Sequence, residues 1–276
     1  PHEKRRFALP AEYAEALTKP ESPYSIAPLA RFIGLMPMAA QVIEAFKSGA
    51  GIPWSAYGDE IVDIQGEFNR PWLVGQLGPE YLPGVPNIHD RLQKPGARFL
   101  DVACGVGWAS IATARAYANA TVLGIDIDRT SVDRANQNAR EAGLSDRVKF
   151  ECRDAASLAS TAPFDAAIIV EAVHDMSNPV GVLGAIRKTL APGASLLVVD
   201  ERVGETFTAP ANEIDRFMYT ASVMFCLPNG MSDKPTAATG TVMRPSTLDG
   251  YARSAGFSGA KVLDLEHPMF WFYELR

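Results

Sequence analysis

The chain has 276 residues, 47% of them hydrophobic, and its 32 acidic against 26 basic residues leave a formal net charge of -6. That length and apolar fraction suit one large domain with a sizeable core and exclude a disordered chain. The acidic balance offers no broad attraction to nucleic acid, since the basic cluster Lys4-Arg5-Arg6 stands alone at the start.

The first residue is proline, and Arg5-Arg6-Phe-Ala-Leu-Pro followed by the helix-like Ala11 to Leu17 reads as a segment of something longer, with an N-terminal module missing. Pro20, Pro23 and Pro28 mark a linker. Apolar residues then recur from Leu29 to Phe46 as in a buried helix. A loop at 49–58 precedes a helix from Asp59 to Phe68 or beyond, with Asp59 as its cap. Pro83, Pro86 and Pro95 lead into a regular alternation: strand 97–104, helix 108–118, strand 120–127, helix 130–142, strand 147–153. Strand 164–173, helix 178–190 and strand 194–200 continue it. After a long irregular segment come a helix at 247–255 and strands near 260–266 and 269–275. Only His267-Pro268 separates the last two, which predicts an antiparallel hairpin.

The first strand runs into Asp101-Val-Ala103-Cys-Gly105-Val-Gly107-Trp108 and then an alanine-rich helix. Glycines at such a strand-turn-helix let a ligand approach the backbone beside the unpaired N–H groups of the helix start. A dinucleotide fingerprint wants a third glycine where Ser110 stands, which weakens that reading and leaves it open. Asp126 ends the second strand, where its carboxylate could accept from both hydroxyls of a ribose. Asp101, ahead of the glycines, would crowd a pyrophosphate but suits an ammonium group or a hydrogen-bonded turn. This favours S-adenosylmethionine.

The stretch Asp101 to Trp108 resembles the first motif of class I S-adenosylmethionine-dependent methyltransferases, with Ala103 in place of the family's usual first glycine. The resemblance implies a fold: α/β, a Rossmann-like seven-stranded, mostly parallel sheet with an antiparallel terminal hairpin, preceded here by an N-terminal helical region. It also implies a cofactor, S-adenosylmethionine leaving as S-adenosylhomocysteine, held by Asp101, Ala103, Gly105, Gly107, Trp108, Asp126 and Ile127. Asp154 and Ala155 match the family position that reads the adenine edge, Asp154 being alternatively a helix cap. Glu171-Ala-Val-His174-Asp175-Met176, Asp200-Glu201-Arg202-Val203 and Thr239 to Arg244 look like the branch in which this domain follows a winged helix-turn-helix. Arg6 to Leu9, Tyr57-Gly58, Asn69-Arg70-Pro71 and Trp271 to Leu275 extend the match. The branch implies a homodimer formed through that module.

Two regions are thus expected: residues 1–96, helical, with acceptor-pocket and dimer contacts, and residues 97–276, the methyltransferase domain with a lid at 204–245. The lid carries Phe217, Met224 and other large apolar groups, with a helix at Glu213 to Cys226. With Trp54, Tyr57 and Trp72 these predict a cavity for an aromatic or apolar small molecule. His174, after the fourth strand, is the candidate base for a hydroxyl acceptor and would also touch it, titrating near ~6.5. Glu171 is expected to face the cofactor, and Asp175 to orient the imidazole or cap a helix. His2, His89 and His267 read as surface or local structural residues, and Cys104 as a small buried side chain.

The three cysteines, Cys104, Cys152 and Cys226, are isolated and no Cys/His cluster has zinc-site spacing. No metal is expected, and a reducing cytoplasm is the expected compartment. No apolar run of membrane-spanning length and no signal segment stand out, so no membrane partner is expected. The leading function is methyl transfer to a small molecule at oxygen. A nicotinamide-dependent oxidoreductase and a cofactor-binding regulator without turnover stand as alternatives.

Overall fold

The computed structural model describes residues 8–19, 22–158 and 162–276. The basic cluster at Lys4-Arg5-Arg6, His2, and the linker's Pro20 lie outside the described residues. Helix α1 spans Ala11–Thr18. A 3-10 segment, Ala27–Met38, continues into α2, Ala39–Ser48, and a 3-10 turn at Trp54–Tyr57 precedes α3, Asp59–Trp72. Pro79 cannot donate a backbone hydrogen bond, and the chain beyond α3 winds as a π-helical segment, Leu73–Tyr81, before α4, Pro86–Leu92.

From there strands and helices alternate: β1 (Arg98–Val102), α5 (Trp108–Ala116), β2 (Thr121–Asp126), α6 (Arg129–Glu141), β3 (Val148–Cys152), β4 (Ala166–Val170), α7 (Pro179–Thr189) and β5 (Leu196–Glu201). Next come α8 (Glu213–Ala221), prolonged by π turns over Ser222–Cys226, the short α9 (Leu227–Gly230), α10 (Pro245–Ser254), β6 (Ala260–Val262) and β7 (Phe270–Leu275). The sheet order is β3-β2-β1-β4-β5-β7-β6, with β1 to β5 parallel and β7 antiparallel to both neighbours. The expected terminal hairpin is present, and its second strand is the one that joins β5, leaving β6 at the edge. β6 is shorter than its pattern suggests: Leu263 N–H still donates to Phe272 C=O at 2.8 Å, but beyond it Leu265 packs against the core beside Gly84 and Glu266 C=O accepts from Tyr81 Oη.

Strand interiors such as Phe99-Leu100 and Leu196 to Val199 are fully buried, as a parallel sheet covered on both faces requires. One core layer joins Phe99, Val122 and Phe272 to Trp72, Leu77, Leu82 and Ile88, so residues 72–92 pack into the core of the sheet. Gly78 lets this happen: a Cβ there would lie 2.8 Å from the Ala116 Cβ on α5.

The stretch read as a buried helix behaves differently. Ala27–Ser48 is continuously helical over 22 residues, long and apolar enough by length and composition to cross a membrane, and mostly unburied. The expectation that no run reaches such a length is therefore corrected. Pro37 sits inside it, and it packs Met38, Val42 and Ala45 inward beside Ile61 and Ile64 of α3. Ile33, Ile43 and Phe46 point outward, each more than half exposed. Its apolar pattern thus serves two faces, one of which is left uncovered by the described residues.

Because the helical region and the sheet share one core, Gly78→Val should lower overall stability by about 1–3 kcal/mol through overpacking against α5. Urea unfolding followed by both fluorescence and circular dichroism should show one shifted transition; two separate transitions would mean that the regions fold independently.

Candidate functional site

The turn after β1 takes three left-handed positions, Ala103 (φ 54°), Gly105 (φ 50°) and Gly107 (φ 86°). Ala103, where the resembling family has glycine, adopts the glycine-type angle at a cost of about 1–2 kcal/mol. Gly107 is also needed for space, since a Cβ would meet the Phe150 ring at 2.5 Å, whereas a Cβ on Gly105 would meet nothing within 4 Å. Gly105 therefore faces open space at the mouth of the turn. Beside it Asp126 accepts from Gly105 N–H at 2.8 Å and Asp128 N–H at 2.9 Å, and burial pushes its carboxyl up to about 6. Ile127 is 70% exposed at the same strand end, an apolar surface of the kind a planar base covers. Trp108, at the start of α5, lies under the Arg70 guanidinium at 4.7 Å.

Asp101 does not reach this open face. It is 1% exposed and accepts from Ser110 Oγ at 2.6 Å beneath the turn, where burial pushes its carboxyl up to about 7. Of the two expectations for Asp101, an ammonium group or a hydrogen-bonded turn, the structure shows the hydrogen-bonded turn, with Ser110, which departs from the dinucleotide pattern, as the donor. Asp154 accepts from Ala156 N–H at 2.8 Å and caps the short 3-10 turn Ala155–Ser157 at the end of β3, leaving its second oxygen outside that bond.

A second cavity, about 300 Å³, opens between α3, α8 and the ends of β4 and β5. Trp54, Phe217 and Met224 line it as expected, with Phe32, Phe68, Phe225 and Phe270. Tyr57 and Trp72 do not. Tyr57 stands behind Phe225 at a ring separation of 4.6 Å and donates to its carbonyl, and Trp72 is core, packed on Phe270, Tyr81 and His267. His267 is buried there, and burial holds it down to about 4. His89 bonds Tyr117 Oη at 2.8 Å, a local structural role. A shallower depression of about 410 Å³ beside α2 holds a single carboxylate, Glu44, paired with Lys47.

The polar floor of the 300 Å³ cavity is where the strand ends meet. Val170 pairs with Val199 across β4 and β5, and Glu171 N–H donates to Val199 C=O, which sets Glu171 and His174 beside Asp200 and Glu201. His174 is 1% exposed, with Nδ1 2.7 Å from Asp200 Oδ1 and 2.9 Å from Glu201 Oε2, and Nε2 3.4 Å from Asp175 Oδ1. Burial works against its charge, yet Glu201, Asp200 and Asp175 together hold the imidazole well above its ordinary pKa. The expected titration near 6.5 is displaced upward.

Burial likewise favours neutral Asp200, but the facing imidazolium and hydrogen bonds outweigh it and hold that acid below the usual carboxylate range. Burial pushes Asp175 up to about 6, Glu171 up to about 8, Glu201 well above its normal range and the Cys226 thiol up to about 12. Glu171 holds a left-handed backbone (φ 49°) and accepts from Gln65 of α3 at 2.9 Å, so it faces the cavity as well as the strand end. Asp200, not Asp175, orients the imidazole, and Asn178, not Asp175, caps α7. Asp200, Glu201 and Gln65 were missing from the expected site; the readable signal was that β5, like β4, ends in acids.

Residues 93–239, just over half of the chain, match the family model described as a methyltransferase domain. The chain belongs to the class I S-adenosylmethionine-dependent methyltransferases. This methyltransferase is 30% identical over 193 residues to 24-methylenesterol C-methyltransferase 2 of Oryza sativa subsp. japonica, covering 68% of the chain and 50% of the rice protein. It is 31% identical over 188 residues to a ubiquinone biosynthesis O-methyltransferase of Ralstonia nicotianae, covering 65% and 71%. The solved structures of PigF with SAH (TM-score 0.71, 17% identity, 97% of this chain and 78% of that one) and mitomycin 7-O-methyltransferase MmcR (0.66, 18%, 98% and 76%) share its fold. The open cradle at Gly105, the acid at Asp126 and the uncovered Ile127 fit S-adenosylmethionine, and neither the oxidoreductase nor the regulator alternative gains support.

Asp126→Ala should weaken S-adenosylmethionine binding by about 1.5–3 kcal/mol, with Asp126→Asn less affected because it keeps one acceptor for the Gly105 amide. Calorimetric titration of folded variants checks this; unchanged affinity in the alanine variant would remove Asp126 from the cofactor site. A pH series tests Glu171. Its folded pKa of about 8 lies above the unfolded value, so the native state holds the extra proton between pH ~4.5 and 8 and loses stability as pH rises through that window. Glu171→Gln should flatten this part of the melting-temperature profile; parallel profiles would show that Glu171 is ionised throughout.

Proposed function

We propose that this methyltransferase transfers the methyl group of S-adenosylmethionine to a hydroxyl of a small aromatic or apolar molecule held in the 300 Å³ cavity. What carries the reading is the joining of an aromatic-walled cavity to a floor of His174, Glu171, Asp175 and Glu201. S-adenosylmethionine brings a methyl group already activated on a sulfonium, so the protein's part is to align and deprotonate an acceptor. Holding two reactants in line can supply roughly 7–11 kcal/mol. Trp54, Phe217, Met224 and Phe225 exclude water and orient the acceptor's apolar body. His174, fixed by Asp200, takes the proton from the acceptor oxygen, and the surrounding carboxylates stabilise the imidazolium that results.

The 204–245 segment serves as the lid, with Phe217 and Met224 on its inner face and Phe207 and Val223 outside. The exposed apolar face of Ala27–Ser48 is the surface through which two copies pair. The cytoplasm is the compartment this reading assigns, with Cys104 and Cys226 as buried free thiols. Oxygen as the acceptor atom follows from the acid-base floor and agrees with the O-methyltransferase relatives; a carbon or nitrogen acceptor is the alternative outcome of an acceptor screen read by mass spectrometry.

His174→Ala should slow single-turnover methylation by about 10²-fold or more while leaving S-adenosylmethionine affinity nearly intact. In the wild type the rate should rise with pH along a limb centred above 6.5, because the imidazole must first give up a proton the carboxylates hold. Equal rates, or an identical pH profile in both proteins, would remove His174 from the chemistry.

A further inference from the structure

The acceptor cavity carries a polar pair that proton removal by His174 leaves unused. Glu171, just after β4, and Gln65, on α3, both line it. Gln65 Nε2 donates to Glu171 Oε2 at 2.9 Å, which fixes the carboxyl. Glu171 Oε1 is shielded from solvent and has no hydrogen-bond partner among the described residues. Asn69 acts on the same carboxyl, but its Oδ1 is taken by Trp72 Nε1 at 3.0 Å, and it completes no bond to Oε1. The other orphaned carboxylate oxygens, on Asp175, Asp200 and Glu201, belong to the acids that surround the His174 ring and share its charge. A shielded polar atom at a cavity wall is costly until a partner meets it, so this orphan points to a group on the molecule that fills the cavity. The left-handed backbone of Glu171 (φ 49°) is strained for a residue with a side chain, and the bond from Gln65 helps to hold it.

We propose that Glu171, positioned by Gln65, determines specificity in the acceptor cavity by hydrogen-bonding through Oε1 to a second oxygen that the acceptor carries near the hydroxyl deprotonated by His174. The acceptors are then dioxygenated apolar molecules, with a hydroxyl or carbonyl beside the methylated hydroxyl, and this substrate class rests on the methyl-transfer reading above. The nearness of the two oxygens follows from the chain. Glu171 and His174 are three residues apart, joined through the 3-10 turn Val173–Asp175, and both line one cavity of about 300 Å³. The direction of the bond follows from the surroundings. Burial outweighs Asn69, His174 and Gln65, which all favour the charged form, and pushes the Glu171 carboxyl up to about 8, so near neutral pH it carries a proton. Because Oε2 faces the Gln65 N–H, that proton sits on Oε1, which donates. A neutral donor suits a hydroxyl or carbonyl oxygen and offers no counter-charge to an ammonium group.

The probes are 2-naphthol and 2,3-dihydroxynaphthalene, which differ by that one oxygen. Their dissociation constants are measured near neutral pH by calorimetric titration of the full chain saturated with S-adenosylhomocysteine. The wild type should bind the diol at least about 10-fold more tightly than the naphthol, since the naphthol leaves a buried donor unpaired. Glu171→Leu, checked for folding by circular dichroism, should bring the two constants together. Glu171→Gln should keep most of the preference, because its amide oxygen still accepts from Gln65 while its N–H₂ takes the place of Oε1. Gln65→Leu should narrow the preference without abolishing it. Equal binding of the two probes by the wild type, an unchanged preference in Glu171→Leu, or no saturable binding of the diol would overturn the proposal. Mass spectrometry of both probes with S-adenosylmethionine reads the transfer separately. Methylation without a preference sinks this inference alone, whereas a preference that depends on Glu171, with neither probe methylated, counts against the transfer reading and leaves the Glu171 contact standing.

Discussion

A single buried imidazole among four acids is the constraint on which the rest of the site depends. Placing such groups out of water is costly, and removing one partner of a buried pair typically costs about 3–5 kcal/mol because the remaining charge has no counterpart. The sheet supplies the precision this demands. Parallel pairing of β4 with β5 aligns their carboxyl ends in one register, so that Glu171 and His174 arrive beside Asp200 and Glu201 from segments about 26 residues apart. Parallel strands in an open α/β sheet all deliver their ends to one edge, which is why the glycine turn after β1 and this cluster open on the same side.

The helical region before the sheet packs against both the glycine turn and the cavity. Helix α3 touches both halves of the site. Its Gln65 donates to Glu171 at the cavity, while a Cβ at Gly66 would stand 2.6 Å from Val106 in the glycine turn. One turn further, Arg70 lies over Trp108. Trp72 at the end of this helix joins Leu77 and Leu82 in the core, which anchors the helix between the turn and the cavity.

Backbone strain gathers at the same two places. Among the described residues, the non-glycine positions with left-handed angles are Ala103, Glu171 and Ala238. The first two directly follow β1 and β4, and the third lies between α9 and α10. Strain of this kind persists only where surrounding structure over-determines it. Hydrogen bonds to Cys104 and Glu171 from the neighbouring strands, Cys104 N–H to Ile125 C=O and Glu171 N–H to Val199 C=O, provide that determination.

What the sequence determined by itself was local and periodic. The order of strands and helices, the glycine turn, the acid ending β2 and the family followed from short-range patterns, because a buried strand and a glycine turn impose their residue types within ten positions. The pairing of β7 between β5 and β6, the two-faced character of Ala27–Ser48, and the burial of Tyr57 and Trp72 behind the cavity were tertiary decisions. An aromatic residue reads alike whether its ring lines a cavity or stands one layer back, and an apolar helix reads alike whether its neighbours cover one face or two. The partners of His174 were decided the same way. Asp200, Glu201 and Cys226 are remote in the chain, and only the strand register and the fold of α8 bring their atoms to one ring.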